Sequence, residues 1–99
     1  MSTNDYLVEF LGTFVFLFVI LQSDQFQNLK PFVIASGLLV AILMFGSISG
    51  GHFNPAVTAM MYMKGDPSVS QTINVFGYMA AQILGGIAAW KAHSVLTSN

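Results

Sequence analysis

The sequence has no cysteine and no arginine, 3 prolines, 1 tryptophan, and few charges: three lysines against 4 acidic residues. Without cysteine there are no disulfide frameworks, no thiol catalysis and no Cys-based metal sites. Three lysines give no basic footprint for nucleic acid, and a formal net charge of −1 points to no polyelectrolyte partner. Charged residues are 7% of the 99, against about 25% in soluble domains, which argues against an ordinary soluble globular protein. Disorder is excluded as well, because few charges and 9 phenylalanines call for burial rather than solvation. What is present is apolar: 55% of the residues are hydrophobic and the mean hydropathy is +0.70.

Such a composition predicts an integral, multi-pass membrane protein, with nothing to say which membrane. A spanning helix takes about 20 mostly apolar residues, so the chain has room for three and little else. The N-terminal flank carries Asp5 and Glu9 and no lysine, unlike a signal peptide. The sequence shows no lipidation signal and no Asn-x-Ser/Thr acceptor.

The hydropathy pattern predicts a first helix over about 5–22, broken only by Glu9, Gly12 and Thr13, then a polar connection over 23–30. Pro31 suits a first helical turn and opens a second helix over about 31–48, apolar all round as a span should be. Polar and helix-breaking residues then crowd into Ser49-Gly50-Gly51-His52-Phe53-Asn54-Pro55. A helical pattern resumes at Ala56 and stops at Gly65 and Pro67. This piece is too short to span a bilayer, and the stretch 49–64 reads as a re-entrant segment, where non-helical backbone at membrane depth is tolerated if buried in protein or facing a wet cavity. A third long helix follows over about 69–93, with Ser68 to Gln71 as candidate caps. On it Gly77, Ala81, Gly85 and Ala89 recur every four residues and form a small-residue packing face, and Trp90, Lys91 and His93 read as interfacial anchors. The expected fold is therefore all-α: three transmembrane helices plus one re-entrant half-helix in a single domain, 1–99.

The chemistry concentrates at Asn54 and Pro55. Asn is a good N-cap and Pro a good first helical residue, so a short helix starts here with its unpaired N–H groups presented. Its N-terminus carries about half a positive charge, and aimed into a pore it disfavours cations. The Asn54 amide offers N–H donors to a passing water or hydroxyl. Gly50 and Gly51 permit a twisted backbone whose carbonyls face a lumen.

At these residues the sequence resembles the major intrinsic proteins, the family of aquaporins and glycerol facilitators. Ser49 to Thr58, SGGHFNPAVT, looks like the family's Asn-Pro-Ala signature. Glu9-Phe10-Leu11-Gly12-Thr13 resembles its first-helix pattern, and Ala81-Gln82-x-x-Gly85-Gly86 its third-helix pattern. The order and spacing of all three match the family's N-terminal three-helix repeat over nearly the whole chain. The resemblance implies that Asn54, Pro55 and Ala56 form the pore-centre signature. Carbonyls of Gly50, Gly51, His52 and Phe53 would line the pore as a hydrogen-bond ladder. Glu9 would brace the re-entrant loop near His52, and Gln82 would support backbone from the third helix. Ile34 stands near the family's filter position, where the side chain is often aromatic. The chain is one half of the family's usual two, and the second signature and its filter arginine are absent, which implies looser discrimination than in a strict water channel.

The expected function is passive transport of water or small neutral solutes such as glycerol, with no cofactor, no metal and no enzymatic role. Two half-channels in inverted orientation would complete a pore. With the N-terminus inside, Lys64 is inside and Lys30 and Lys91 outside, an orientation bias too weak to forbid dual insertion. The partner in the membrane is then a second copy, as an inverted dimer or higher homo-oligomer, or another channel half. The rival reading is a non-conducting assembly or regulatory subunit, or a channel fragment. On residue types alone, Glu9 fits either the core or the membrane interface. His52 reads as a structural hydrogen-bonding residue, Met60, Met61 and Met63 as lipid-facing or packing, and Asp24 and Asp66 as solvated loop residues, Asp66 also as a turn former before Pro67.

Overall fold

A computed structural model describes residues 3–98; the first two residues and the last lie outside the described part. Four helices follow in order: α1 (Thr3–Gln22), α2 (Lys30–Ser49), α3 (Pro55–Lys64) and α4 (Thr72–Thr97). Short 3₁₀ turns occupy Ser23–Leu29 and Pro67–Val69.

The helix ends follow from the residues that stand there. Pro31 lies in the first turn of α2, and Gly50, at φ 98°, ends that helix with its N–H donating to the Gly46 carbonyl, a left-handed stop that favours glycine. The Asn54 side chain accepts from the Ala56 N–H to start α3, with Pro55 in its first turn. Gly65, at φ 84°, ends it, with Lys64 in the last turn, where a cation complements the helix dipole. Helix α4 begins at Thr72, three residues beyond the position the hydropathy pattern gives it. Asp66 first caps the separate turn at Pro67–Val69, and Gln71 and Asn74 then form a reciprocal capping box. At its other end α4 runs on to Thr97 because nothing stops it; the Ser94 and Thr97 hydroxyls donate back to the Lys91 and His93 carbonyls. The connection 23–30 is also more ordered than a plain polar loop, folding into a 3₁₀ turn bent at Gln27, φ 51°.

Helix α1 is the middle of the bundle, packed on α2 and on α4. Val19 of α1 lies against Gly37 of α2, as expected of a hairpin. Along the other flank Tyr6 meets Gly77, Glu9 meets Gln82, Thr13 meets Gly85 and Gln22 meets His93. Position rises on both helices together, so α1 and α4 run in the same direction. The small residues of α4 make the close approach possible: a Cβ on Gly85 would stand 2.6 Å from the Phe10 carbonyl oxygen.

Burial is inverted relative to a water-soluble protein. Glu9, Thr13, Ser23, Ser49, His52, Thr58, Asn74 and Gln82 are buried, while Leu39, Leu43, Met63, Ile73, Phe76 and Val95 are exposed. An outside this apolar suits lipid rather than water. Among the described residues, two helical runs are long and apolar enough to cross a membrane: 4–49, which contains both α1 and α2, and Thr72–Thr97.

Replacing Gly85 by Ala forces backbone apart, whereas a Cβ at Gly86 meets only the flexible end of Leu17 at 3.0 Å. Overpacking costs about 1–3 kcal/mol. Gly85→Ala is therefore expected to lower the thermal unfolding midpoint in detergent clearly more than Gly86→Ala, and equal midpoints would contradict this packing.

Candidate functional site

Glu9 is fully buried, two turns into α1. Its Oε2 accepts from the Ser49 hydroxyl at 2.7 Å and the His52 N–H at 3.1 Å. Its Oε1 accepts from the Phe53 N–H at 2.8 Å and Gln82 Nε2 at 2.8 Å. These contacts fill the roughly four acceptor sites of a carboxylate. Hydrogen bonds to a charged group contribute about 1.5–3 kcal/mol each, enough in sum to offset the several kcal/mol that desolvating one ion costs.

The loop that Glu9 grips is unusual backbone. Gly50, Gly51 and Phe53 all have positive φ, at 98°, 66° and 52°. For phenylalanine this conformation costs about 1–3 kcal/mol and persists only where the surroundings impose it. Here they do: its N–H is fixed by Glu9 and its ring occupies the space beside Gly12, where a Cβ would overlap it. No peptide among the described residues is cis, so each carbonyl points opposite to the N–H that follows it. With the N–H groups of His52 and Phe53 on Glu9 and that of Gly51 on Ser49 Oγ, the carbonyls of Gly50, Gly51 and His52 turn away from that side.

A second set of contacts ties the loop to α3 and α4. Gln82 Nε2 donates to Thr58 Oγ1 at 2.8 Å as well as to Glu9, so both its N–H groups are spent and the amide orientation is set. Ser68 Oγ donates to Asp66 Oδ2 and must therefore accept from His52 Nε2, 2.9 Å away. Thr58 Oγ1 lies 2.9 Å from His52 Nδ1 and completes the chain from Glu9 to Asp66. The Tyr78 hydroxyl donates to the Ser49 carbonyl, and its ring lies 4.9 Å from that of His52. The Ser68 hydroxyl and N–H hold the Asp66 carboxyl below its ordinary value.

Ser49, Thr58, Ser68 and Tyr78 thus belong to the cluster, a role their residue types do not announce, and Asp66, the turn former before Pro67, closes it at its partly exposed end. The one available signal was the run of hydroxyl residues flanking the Gly-Gly-His stretch. Asn54, Pro55 and Ala56 are exposed at the start of α3, with the Asn54 Oδ1 occupied by the Ala56 N–H at 2.8 Å. That leaves the Asn54 Nδ2 hydrogens for a ligand. Ile34 stands apart: it is half-buried near the start of α2, about 22 Å along the helix from Ser49 at 1.5 Å per residue. Gly77, Ala81, Gly85 and Ala89 lie on the side of α4 turned to the bundle, Ala89 fully buried.

Glu9→Gln keeps the shape but replaces an acceptor by an NH₂ that faces donors. The variant is expected to lose about 3 kcal/mol or more of stability and to open the 50–54 loop. Thermal unfolding together with proteolytic cleavage within that loop checks this, and a wild-type cleavage rate would contradict it.

The pattern of the family described as Major intrinsic protein matches residues 1–99. The glycerol uptake facilitator protein-like 6 of Lactiplantibacillus plantarum is 43% identical over 93 residues, covering 88% of this chain and 41% of that protein. An aquaglyceroporin of Toxoplasma gondii is 34% identical over 99 residues, covering 96% of this chain and 37% of its own. Aquaporin Z of Photorhabdus laumondii is 38% identical over 100 residues, 91% of this chain and 42% of its own. No solved structure matches. The chain spans about two-fifths of the length of these curated relatives, and it belongs to the major intrinsic protein family.

Proposed function

We propose that the chain is half of a membrane pore for water and small neutral solutes such as glycerol. In this reading α1, α2 and α4 cross the membrane and α3 is a re-entrant half-helix. The lengths support it. Helices of 20, 20 and 26 residues reach about 30 Å or more, the thickness of the hydrocarbon core. The 10-residue α3 reaches about 15 Å, half of it. The observation that carries the reading is the loop before α3: its donors are held on one side by Glu9, and its carbonyls turn to the other.

A solute would meet those carbonyls of Gly50, Gly51 and His52 as successive acceptors and the Asn54 Nδ2 as donor, beside the positive end of α3. Glu9 and Gln82 would hold this wall still without touching the solute. Two copies in inverted orientation would close the pore and set two α3 termini against each other. Lys64 at one end of the bundle, with Lys30 and Lys91 at the other, gives only a weak orientation bias. The names of the relatives, a glycerol uptake facilitator, an aquaglyceroporin and an aquaporin, support water and glycerol as solutes. The second reading is a non-conducting subunit that packs into a full-length channel, or a fragment of such a channel.

Liposomes carrying the purified chain are expected to shrink osmotically faster than protein-free liposomes and to take up glycerol. Asn54→Leu is expected to return both rates to the protein-free level. Background rates from folded wild-type protein would favour the subunit reading, and co-purification with a full-length channel would then be expected.

A further inference from the structure

A groove of about 360 Å³ opens between α1 and α2, on residues that take no part in the polar cluster or in the start of α3. Its origin is a gap in side-chain size. Phe32, Ser36 and Val40 stand one turn apart along α2, with Gly37 beside the serine. The small pair in the middle leaves a hollow between the two larger ends. Val15 and Val19 of α1 form the facing wall. The helices meet at its floor, where a Cβ on Gly37 would stand 2.8 Å from Val19. The lining is apolar apart from the Ser36 hydroxyl, so it makes little demand for a protein donor or acceptor. From Leu29 to Val40 the groove runs about 16 Å at 1.5 Å per residue. That is half of the roughly 30 Å hydrocarbon core, the depth of one leaflet.

At the mouth of the groove Leu29 leads into Lys30, whose Nζ donates to Asp24 Oδ1 at 2.5 Å. Both side chains are exposed. The Lys30 hydrogen bond, and then its charge, hold the Asp24 carboxyl below its ordinary value, so Asp24 is ionised at neutral pH. The ammonium of Lys30 keeps two further N–H donors and the carboxylate further lone pairs. An electrically balanced pair of this kind complements a headgroup that carries both signs. We propose that the groove holds one acyl chain of a phospholipid whose phosphate meets Lys30 and whose primary ammonium meets Asp24. An acyl chain matches a slot that starts at an ion pair on the rim and stops near the midplane. A helix from another protein would contact the hairpin through both leaflets and would give the ion pair no role. The proposal rests on α1 and α2 crossing the membrane and not on the passage of a solute.

Native mass spectrometry of the full chain in non-ionic detergent counts the lipids it retains. Phosphatidylethanolamine and phosphatidylcholine with identical acyl chains are offered in competition. The wild type is expected to retain one phospholipid and to prefer the ethanolamine headgroup about threefold, the size of one exposed charge pair. Choline has no N–H to give Asp24. Asp24→Ala is expected to keep the lipid and lose the preference. Ser36→Phe, which fills the hollow from an exposed position, is expected to lower retention of either lipid about tenfold or more. The unfolding midpoint of each variant in lipid-free detergent, expected at the wild-type value, separates lost binding from lost fold. The headgroup competition on the wild type needs no variant at all. Absence of a retained lipid overturns the proposal, and so does equal retention by wild type and Ser36→Phe. A dimer that excludes phospholipid and is broken by Ser36→Phe overturns it in favour of a second copy. Equal retention of the two headgroups overturns the roles of Lys30 and Asp24. Because solute flux is not read, an inactive pore leaves each of these outcomes unchanged.

Discussion

The carboxylate of Glu9 is the interaction on which the rest of the arrangement depends. It gathers donors from the end of α2, from the loop before α3 and from α4, so one charge on the central helix fixes three other segments. Backbone N–H groups in an irregular loop need acceptors wherever water is excluded. Glu9 supplies them, and by taking the donors on one side it decides where the carbonyls go. The strained φ of Phe53 is tolerated because its N–H and its ring are both held by α1.

The same logic explains the inverted distribution of polarity. A buried polar group is tolerable when paired and costly when not, and the buried residues Glu9, Gln82, Thr58 and His52 form one connected series that ends on the half-buried Ser68 and Asp66. The apolar exterior is then free to meet lipid. The small residues of α4 are the steric counterpart of this network. They let α4 come close enough to α1 for Gln82 to reach Glu9, so the packing face and the polar cluster are consequences of one approach.

The helical, membrane-adapted character was legible in composition and hydropathy, and the punctuation of α2 and α3 in Pro31, Gly50, Asn54–Pro55 and Gly65, because those residues act locally. The start of α4 was not, since glutamine is a weak capping signal and Ser68 and Ser70 stood nearer. The partners of Glu9 were beyond local reasoning altogether. Which N–H groups meet it depends on a left-handed phenylalanine, a conformation that no propensity assigns, and on the relative direction of α1 and α4. Thr58 and Ser68 were hidden for a similar reason: hydroxyl residues are common in membrane helices, and only the fold shows that these two bracket one imidazole. The placing of Glu9 and Gln82 beside the loop came from the family resemblance rather than from their spacing.

The shared direction of α1 and α4 has a topological consequence. The unit has an odd number of long helices, so it finishes at the end of the bundle opposite to the one where it starts. A second unit joined head to tail by a short connection would begin at that far end and would be built upside down with no extra crossing. Simple tandem fusion of such a gene therefore yields an inverted repeat directly, whereas a unit with an even number of long helices would need another crossing to achieve it.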